Sequence, residues 1–455
     1  MPNQGYTYQK EKDQKEKEDE VKDIDLYMGV FFDGTGNNEE NIDSYNEFKN
    51  SSLLKKVFTC VKEVKYHVLA SSSLRGYSNV ARLHKIYKKD SSCSTKMATS
   101  VYVQGIGTTT VIDVKIPGQA FGTGFTGVNS KVENGCNDVT KEVVRVAKKL
   151  VKKPCKIKLH LAVIGFSRGA AAARRFSSCL DSTSGKKHKM YDECLAEHLK
   201  KKCKKKGMLR EVKVQLDFLG LFDTVSSYGV IKTIKSESDN VSELGLSMSK
   251  INANKVVQLC AGDEYRDHFS LTTTGKDIEY IIPGAHADVG GGYCDKEEEE
   301  WKVTQKMDIK KGRMKTLFNG YRTKQDLIDE GWFSHMDIKA GKREVSSSYS
   351  LIPFAFMKDQ LKNEISSYGI IDSAKLSSLK YEKLPSDLSA IKSKILAKET
   401  MYSFQGSGSK KKISKFGGDE NMIKTIRHKY LHLSASTGIS DHPADKNTRV
   451  IVDGK

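Results

Sequence analysis

The sequence contains a serine in a setting that suits nucleophilic catalysis. Ser167 is the centre of Gly-Phe-Ser-Arg-Gly (165–169), a GxSxG pattern that follows the apolar run IKLHLAVIG and precedes four alanines. A buried strand followed at once by a helix is the context of a nucleophile elbow. In such an elbow a tight turn exposes the serine hydroxyl and directs the next N–H at the developing oxyanion. The same residues also suit a Gly-rich turn with a helix-capping serine, so both interpretations stay open at this point.

A serine nucleophile needs a base and a carboxylate that orients the base. Asp223 follows the strand pattern VKVQLDFLGLF and is the candidate acid, because ligands gather at the carboxyl ends of parallel strands. Helix capping or an Asx turn is the alternative role for Asp223, and Asp217 ranks lower because it lies within the strand pattern. The candidate base is His286, which comes just after the strand pattern DIEYIIPG. The residues Ala-Asp-Val separate it from three consecutive glycines. The order Ser, Asp, His is that of α/β-hydrolases.

A late cluster of histidines offers an alternative base. His428, His432 and His442 lie in HKYLHLSASTGISDH, and the base of an α/β-hydrolase can come late in the chain. A metal site in this cluster has only Asp441 and Asp445 as nearby carboxylates, so we expect no metal. The other histidines that we considered are expected to serve packing or surface roles: His160, His188 and His198.

A second Gly-rich loop follows the first strand pattern. The run FFDGTGNN (31–38) can present backbone N–H groups, and we expect Gly34 and Thr35, together with Arg168, to donate to the oxyanion. The run partly matches the haloacid-dehalogenase signature, but Phe31 occupies the position of the nucleophilic aspartate. A GxGxxG pattern at 122–127 has no clear strand leading into it, so we expect no dinucleotide and no other cofactor.

The elements that must carry these residues alternate along the chain. Strand patterns begin near Ile24 and recur at 99–108 and 156–166, and an apolar helical stripe covers about 138–152. Alternating strands and helices predict the α/β class, with an open and mostly parallel sheet covered by helices. We expect a flexible charged tail at 1–23, a catalytic domain at 24–300 and a mainly helical region at 301–455 that can pack on that domain.

Composition narrows the classes of partner. The chain of 455 residues is 38% apolar and carries a net charge of +19, which favours an anionic surface as a partner. The basic residues are mostly lysines without interleaved aromatic residues, so we expect no nucleic-acid partner. A segment at 186–206 carries nine lysines against three acidic residues and either faces anionic headgroups or is a solvated loop. No apolar stretch suits a membrane span, and the N-terminus does not resemble a secretory signal.

Seven sequence blocks then point to a family. FFDGTGNN, YVQGIGT, PGQAFGTGFTG, GFSRGAAAARRF, GLFDTVSSYG, LCAGDEYRDHF and PGAHADVGGGY follow one another between about 24 and 295. Their order resembles that of the DUF2235 family, which includes the Tle1-type phospholipase effectors of type VI secretion systems. The resemblance implies an α/β-hydrolase core that cleaves ester bonds of glycerophospholipids. It also implies that Ser167 is the nucleophile, Asp223 the acid and His286 the base.

The resemblance implies partners and a route as well. Effectors of this type are made in the cytoplasm and injected into rival bacteria, with a spike or tube component for delivery and an immunity protein that protects the producer. We therefore expect a phospholipase of A1 or A2 type, whose acyl position and headgroup preference the sequence does not define. The alternatives are a non-catalytic delivery module on a hydrolase fold and an esterase with a soluble substrate.

Overall fold

The computed structural model describes residues 23–49, 75–90, 95–108, 127–150, 155–180, 195–204, 209–226, 244–266, 268–300, 303–308, 313–318, 323–396, 402–406, 411–414, 416–435 and 449–454. Residues 1–22 of the tail predicted at 1–23 lie outside the described residues, and Asp23 already belongs to the first strand. Residues 122–126 of the GxGxxG pattern at 122–127, and residues 186–194 and 205–206 of the lysine-rich segment, also lie outside them.

Six parallel strands form the central sheet, in the order β2-β1-β3-β4-β5-β7. Their bounds are β1 Asp23–Phe32, β2 Lys96–Val103, β3 Cys155–Phe166, β4 Leu209–Phe222, β5 Ala253–Ala261 and β7 Ile278–Ile282. The inner strands are buried on both faces, which is why they read as continuous apolar runs. The predicted α/β class with a mostly parallel sheet is confirmed.

Helices and loops cover both faces of the sheet. The described helices before residue 300 are α1 Glu39–Lys49, α2 Asn79–Ile86, α3 Val128–Leu150, α4 Arg168–Ser178, α5 Leu195–Lys204 and α6 His286–Gly290. The side chains of α3 and α4 share one buried apolar cluster with alternate residues of the strands. Those of α2 lie in a second cluster with the other alternate residues. The period-two alternation of side chains along each strand thus divides the core between the two faces.

The part of the chain after residue 300 contributes to the second of these clusters. Its helices are α7 Lys324–Asp329, α8 His335–Ala340, α9 Leu351–Glu364, α10 Ser373–Ser378, α11 Ser386–Ile395 and α12 Glu420–Tyr430. Short strands form two-stranded sheets: β8 Glu297–Glu300 with β11 Lys342–Val345, β9 Val303–Asp308 with β10 Arg313–Phe318, and β12 Phe404–Gln405 with β13 Lys412–Ile413. The last strand, β14 Ile451–Val452, pairs in parallel with β6 Leu271–Thr272. None of the described helices combines the length and apolar character needed to cross a membrane.

Several element boundaries differ from the sequence prediction. The strand predicted at 99–108 is β2, which ends at Val103, and the helix predicted from about 138 is α3, which begins at Val128. The first ten residues of α3 include polar residues and a glycine with weak helix propensity, so burial of residues such as Val128 and Val132 must stabilise this part. Strand β5 had no predicted counterpart, because its first residues, Ala-Asn-Lys, interrupt the apolar pattern.

Candidate active site

Ser167 occupies a strained turn between β3 and α4. Its backbone has φ 60° and ψ −131°, an unfavourable region for a residue with a side chain. The flanking glycines make the turn possible by close approach. A Cβ atom on Gly165 would lie 2.6 Å from Ala170 Cα, and one on Gly169 would lie 2.2 Å from the carbonyl oxygen of Asp33. The two glycines of the GxSxG pattern are therefore needed for steric reasons, as a nucleophile elbow requires.

Asp223 lies beside Ser167 at the same edge of the sheet. The N–H of Ser167 donates to the carbonyl oxygen of Phe222 at 3.0 Å, and the N–H of Val225 donates to the carbonyl oxygen of Ser167 at 3.3 Å. Asp223, between these two partners, also has a positive φ of 45° and is completely buried. Two strained residues are thus held side by side at the ends of neighbouring parallel strands.

The carboxylate of Asp223 binds the imidazole of His286. Asp223 Oδ2 lies 2.5 Å from His286 Nδ1. The imidazole ring lies between two aromatic rings, with centroid distances of 4.6 Å to Phe166 and 4.9 Å to Phe269. The hydrogen bond at Nδ1 leaves Nε2 as the ring nitrogen that can exchange a proton with a substrate or nucleophile. The structure therefore brings the predicted acid and the predicted base together beside the serine.

Electrostatics favour an ionised acid and a neutral base. Burial raises the pKa of Asp223, but the charge of Arg449 and the hydrogen bond from His286 outweigh it, and the pKa lies well below its ordinary value. Burial lowers the pKa of His286, and the opposing effect of Asp223 does not restore it fully. A neutral imidazole paired with a carboxylate is the state that accepts a proton from a serine.

A buried glutamate holds the backbone next to the imidazole. Glu264 Oε2 accepts the N–H of His286 at 3.2 Å and also accepts from Arg266 Nη2 at 2.8 Å. Burial raises the pKa of Glu264, but the charge of Arg266 outweighs it and lowers the pKa to about 2. The guanidinium of Arg266 lies 3.4 Å from the centroid of the Phe269 ring, which itself contacts His286. Glu264 was not predicted from the sequence.

The three glycines after His286 permit close backbone contacts. A Cβ atom on Gly290 would lie 2.0 Å from the ring of Phe166, and one on Gly292 would lie 3.1 Å from Asn37 Oδ1. Gly291 and Gly292 also have positive φ values of 76° and 117°. The glycine run therefore packs the segment that carries His286 against both the elbow and the loop at 33–38.

The loop at 33–38 contacts the elbow, but its N–H groups differ in their bonding. The N–H of Gly34 donates to Asp33 Oδ1 at 2.7 Å, which competes with donation to an oxyanion. Thr35 is joined to the elbow by its side chain, since Thr35 Oγ1 accepts from Arg168 Nε at 2.9 Å. Arg168 is the first residue of α4, so its N–H points out of the N-terminal end of that helix.

The other candidate residues lie in pairs of their own. His160 Nδ1 lies 2.7 Å from Asp217 Oδ2, and Asp217 is the extra residue at a β-bulge between β3 and β4. The late histidines are also paired: His428 with Asp337 at 2.8 Å, and His432 with Asp288 at 2.7 Å. His198 is half-buried on α5, whereas His188, His442, Asp441 and Asp445 lie outside the described residues. Within the part of the chain that is described, no group of three His, Cys, Asp or Glu side chains could hold a metal ion.

Arg449 completes the surroundings of the acid and was not predicted from the sequence. It is buried, and its Nη1 and Nη2 donate to the two oxygens of Asp223 at 2.7 and 2.8 Å. Arg449 lies more than two hundred residues after Asp223 in the chain. The one local signal is an arginine directly before a short apolar run, Val-Ile-Val, near the end of the sequence.

A strained serine elbow at the carboxyl end of a parallel sheet, next to a carboxylate–imidazole pair, is the arrangement of α/β-hydrolases. Residues 179–360 match the family model for the catalytic domain of Tle1-like phospholipase effectors of the type VI secretion system. The match includes Asp223 and His286 and ends before it reaches Arg449. The resemblance to Tle1-type effectors that the sequence blocks indicate is confirmed.

Comparison with one solved structure supports the fold. The chain is similar to a Tle1 effector solved in complex with the VgrG spike of the type 6 secretion system, with a TM-score of 0.56 and 20% sequence identity over 95% of this chain and 94% of that one. A protein from Pseudomonas aeruginosa is matched at a TM-score of 0.38 and 16% identity, over 86% of this chain and 53% of that one. No curated protein matches the sequence.

Proposed function

We propose that this protein is a serine phospholipase of A1 or A2 type that acts as an antibacterial effector of a type VI secretion system. Ser167 Oγ attacks the acyl carbonyl carbon of a glycerophospholipid while His286 Nε2 takes the hydroxyl proton. Collapse of the tetrahedral intermediate breaks the ester bond, and His286 returns the proton to the leaving lysophospholipid oxygen. A water molecule then repeats the sequence on the acyl-enzyme and releases the fatty acid. Asp223 orients the imidazole and stabilises its charged form.

The observation that carries the proposal is the junction of three elements at one sheet edge. Ser167 has a strained backbone, and its N–H donates to the carbonyl oxygen of Phe222. Asp223, the residue after Phe222, binds His286 Nδ1. Strain at a serine costs stability and persists where the surrounding structure enforces it, most often at functional sites. A turn with only a capping serine does not need a buried carboxylate–imidazole pair beside it.

The oxyanion is proposed to bind backbone N–H groups of Arg168, Thr35 and Gly34. Arg168 supplies the N–H at the start of α4, as the residue after an elbow nucleophile does. Of the two loop residues, Thr35 is the stronger candidate, because the N–H of Gly34 already donates to Asp33. Loss of one such donor typically costs about 3 kcal/mol of transition-state stabilisation.

Partners follow from the relatives and from the charge. The Tle1 effector in the matched structure is bound to a VgrG spike, and we propose a spike or tube component as the delivery partner here. An immunity protein is proposed to protect the producing cell. The net charge of +19 and the lysine-rich segment 186–206 support contact with an anionic membrane surface.

The test is hydrolysis of mixed phospholipid vesicles by the wild-type protein and by Ser167→Ala. Ser177→Ala is a matched control, because Ser177 is a buried serine on the same helix α4 whose hydroxyl has no hydrogen-bond partner among the described residues. Phospholipids with a different acyl chain at each position allow the released fatty acid to identify the bond. We expect both the wild type and Ser177→Ala to release fatty acid and lysophospholipid, and Ser167→Ala to release neither above background.

Each alternative function predicts a different result. A delivery module without catalysis gives no fatty acid release from any of the three proteins, even with several lipid classes. An esterase for soluble substrates hydrolyses a short-chain ester in a Ser167-dependent manner but shows no rate increase at the lipid surface. Equal lipid hydrolysis by the wild type and Ser167→Ala would make the assignment of the nucleophile wrong.

A further inference from the structure

A two-point ion pair joins the candidate acid to the end of the chain. Arg449 Nη1 donates to Asp223 Oδ1 at 2.7 Å, and Arg449 Nη2 donates to Asp223 Oδ2 at 2.8 Å. Asp223 is 0% exposed and Arg449 is 5% exposed. Asp223 Oδ1 also accepts the N–H of Ala261 at 2.8 Å. With His286 on Oδ2, four donors fix the carboxylate, and both of its oxygens are bound by Arg449.

The guanidinium also contacts the surroundings of the imidazole. Arg449 Nε donates to the carbonyl oxygen of Phe269 at 2.6 Å, and Arg449 Nη1 donates to that of Ala261 at 3.2 Å. The ring of Phe269 packs edge-on against His286. The Arg449 side chain therefore holds both the candidate acid, Asp223, and Phe269, the residue that packs on the candidate base. It does so with a planar, forked guanidinium, a geometry that a lysine does not have.

Backbone pairing holds the segment 449–454 in place. Strand β14 pairs with β6, and the N–H of Leu271 donates to the carbonyl oxygen of Val450 at 2.9 Å. At the far end, the carbonyl oxygen of Gly454 accepts from Arg174 Nη2 at 3.0 Å. Arg174 is completely buried and donates otherwise to backbone carbonyl groups, not to a carboxylate. Arg174 thus binds the far end of the segment that Arg449 begins, and of these two arginines Arg449 alone contacts the candidate acid.

We propose that Arg449 is a positioning residue of the hydrolytic site, which fixes the carboxylate of Asp223 through two hydrogen bonds and keeps the imidazole of His286 neutral through its charge. This inference rests on the proposed function of Ser167, Asp223 and His286. It assigns to the segment 449–454 an indirect part in catalysis, which acts through the acid and without contact to substrate.

The sign of the charge effect follows from the groups around the imidazole. Asp223 and Glu264 are the carboxylates that stabilise a protonated His286, and Arg266 opposes them. Arg449 faces both carboxylates, and the thiol of Cys260 also lies near Asp223. Removal of the Arg449 charge leaves the carboxylates less neutralised, which stabilises the imidazolium. The pKa of His286 then rises, and the acid limb of the pH–rate profile moves to higher pH.

The experiment compares the full-length wild type with Arg449→Gln, Arg449→Lys and Arg174→Lys, in hydrolysis of a soluble ester and of vesicles across pH. We expect Arg449→Gln to shift the acid limb upward by about one pH unit, the low end of the 1–3 units by which a neighbouring charge changes a pKa, because Arg449 acts on the imidazole through the two carboxylates. Arg449→Lys keeps the charge and loses the fork, so we expect an unmoved acid limb with a kcat lowered by about tenfold. Arg174→Lys loosens the same segment, and we expect lower stability with an unmoved acid limb.

A measurement that needs no turnover separates this inference from the proposed function. Titration of ¹³C-labelled histidines by NMR, with His286→Asn to assign the resonance, gives the pKa of His286 in the wild type and in Arg449→Gln. A higher pKa in Arg449→Gln supports the inference even if no ester is hydrolysed, in which case only the proposed function fails. Equal His286 pKa values would overturn the charge effect. A kcat of Arg449→Lys equal to that of the wild type would overturn the two-point positioning. This comparison of kcat values does not depend on Arg449→Gln and can be made even if that variant does not fold.

Discussion

Asp288, on the short helix α6 that carries His286, forms a buried imidazole–carboxylate pair with His432. His432 Nδ1 lies 2.7 Å from Asp288 Oδ1, and the N–H of His432 donates to Asp288 Oδ2 at 3.0 Å. Asp288 Oδ2 also accepts the N–H of Ala285, the residue before His286. The ring of Tyr293 stacks on His432 with a centroid distance of 3.7 Å. The pair therefore ties the start of α6 to the segment that follows α12.

This arrangement predicts different results for the two histidines. We expect His286→Ala to lower kcat/KM by about 10⁴-fold, as loss of a triad base does. We expect His432→Asn to remain within about tenfold of the wild type, because its amide can donate to Asp288 in place of Nδ1. His432→Ala leaves the buried carboxylate without this partner and should lower the free energy of unfolding by about 3 kcal/mol. Vesicle hydrolysis and thermal unfolding of the three variants check these outcomes.

The comparison also decides which histidine is the base. Equal losses of activity in folded His286→Ala and His432→Asn would contradict the assignment of His286. Activity of His286→Ala near the wild-type level would also contradict the assignment of His286. The late histidines would then be the remaining candidates for the base.

A second prediction concerns the pH dependence of hydrolysis. Attack by Ser167 needs a neutral imidazole, and burial lowers the pKa of His286. The rate therefore rises with pH through an apparent pKa below the ordinary histidine value of about 6.5. The kcat/KM for a soluble ester, measured from pH 4 upward on protein shown to stay folded, checks this. Asp33→Asn is the control for a second titrating group, since burial raises the pKa of Asp33 to about 6.

An acid limb centred at or above the ordinary histidine value would contradict a buried, desolvated base. A limb that disappears in Asp33→Asn would show that the profile reports Asp33 and not His286.

The fold class and the candidate residues at the strand ends could be predicted because their signals lie within short stretches of sequence. A parallel strand with a turn residue after it is visible within about ten consecutive residues, so Ser167, Asp223 and His286 could be found one at a time. The sheet then brings them together at its carboxyl edge. Strand β5 was missed because its polar start hides the pattern, although it supplies Ala261, whose N–H binds Asp223.

Contacts between distant parts of the chain could not be predicted in this way. Arg449 binds Asp223 across more than two hundred residues, and Asp288 binds His432 across more than one hundred. Such a pair has no periodic signature, and each member alone is an ordinary charged residue. Gly34 shows the same limit within one loop, because the sequence indicated a possible donor and not the carboxylate that already accepts its N–H.

A third prediction tests the close approach at the elbow. A Cβ atom on Gly169 would lie 2.2 Å from the carbonyl oxygen of Asp33, so Gly169→Ala must push α4 away from the loop at 33–38. We expect lower stability by about 1–3 kcal/mol, as for overpacking of a buried site, and a larger loss of kcat than of substrate binding. Gly417→Ala is the control, because no atom lies within 4 Å of the added carbon.

Thermal unfolding and kcat of the two alanine variants check this outcome. Activity of Gly169→Ala equal to that of Gly417→Ala would mean that the elbow and the loop need not touch during catalysis, which would contradict the oxyanion site proposed between them.

A fourth prediction concerns the buried carboxyl of Asp33. Asp33 Oδ1 accepts the N–H of Gly34, and Asp33 Oδ2 accepts the hydroxyl of Tyr102 at 2.5 Å. Burial raises the pKa of Asp33 to about 6, although hydrogen bonds from Ser78, Tyr102 and Gly34 oppose it. The ionised form is thus disfavoured in the folded state relative to the unfolded chain, in which an aspartate titrates near 3.9.

The sign of the effect on stability follows from linkage. Below about pH 3.9 the carboxyl is protonated in both states and costs nothing. As pH rises from about 3.9 to 6 the unfolded chain ionises first, and the free energy of unfolding falls. Above about pH 6 the loss is complete at about 3 kcal/mol, from two pKa units at 1.36 kcal/mol each. Asp33→Asn lacks this dependence while its amide keeps an acceptor for Gly34 and a donor toward Tyr102.

Denaturant unfolding of the wild type and Asp33→Asn at pH 4.5 and pH 7.5 measures the difference. We expect the stability of Asp33→Asn relative to the wild type to increase by about 2 kcal/mol between the two pH values. Asp138→Asn, at a partly exposed position on α3, controls for the loss of one negative charge. A difference that is the same at both pH values would mean that Asp33 ionises alike in the folded and unfolded chains. The carboxylate would then carry its charge in the loop at 33–38 at no cost in stability.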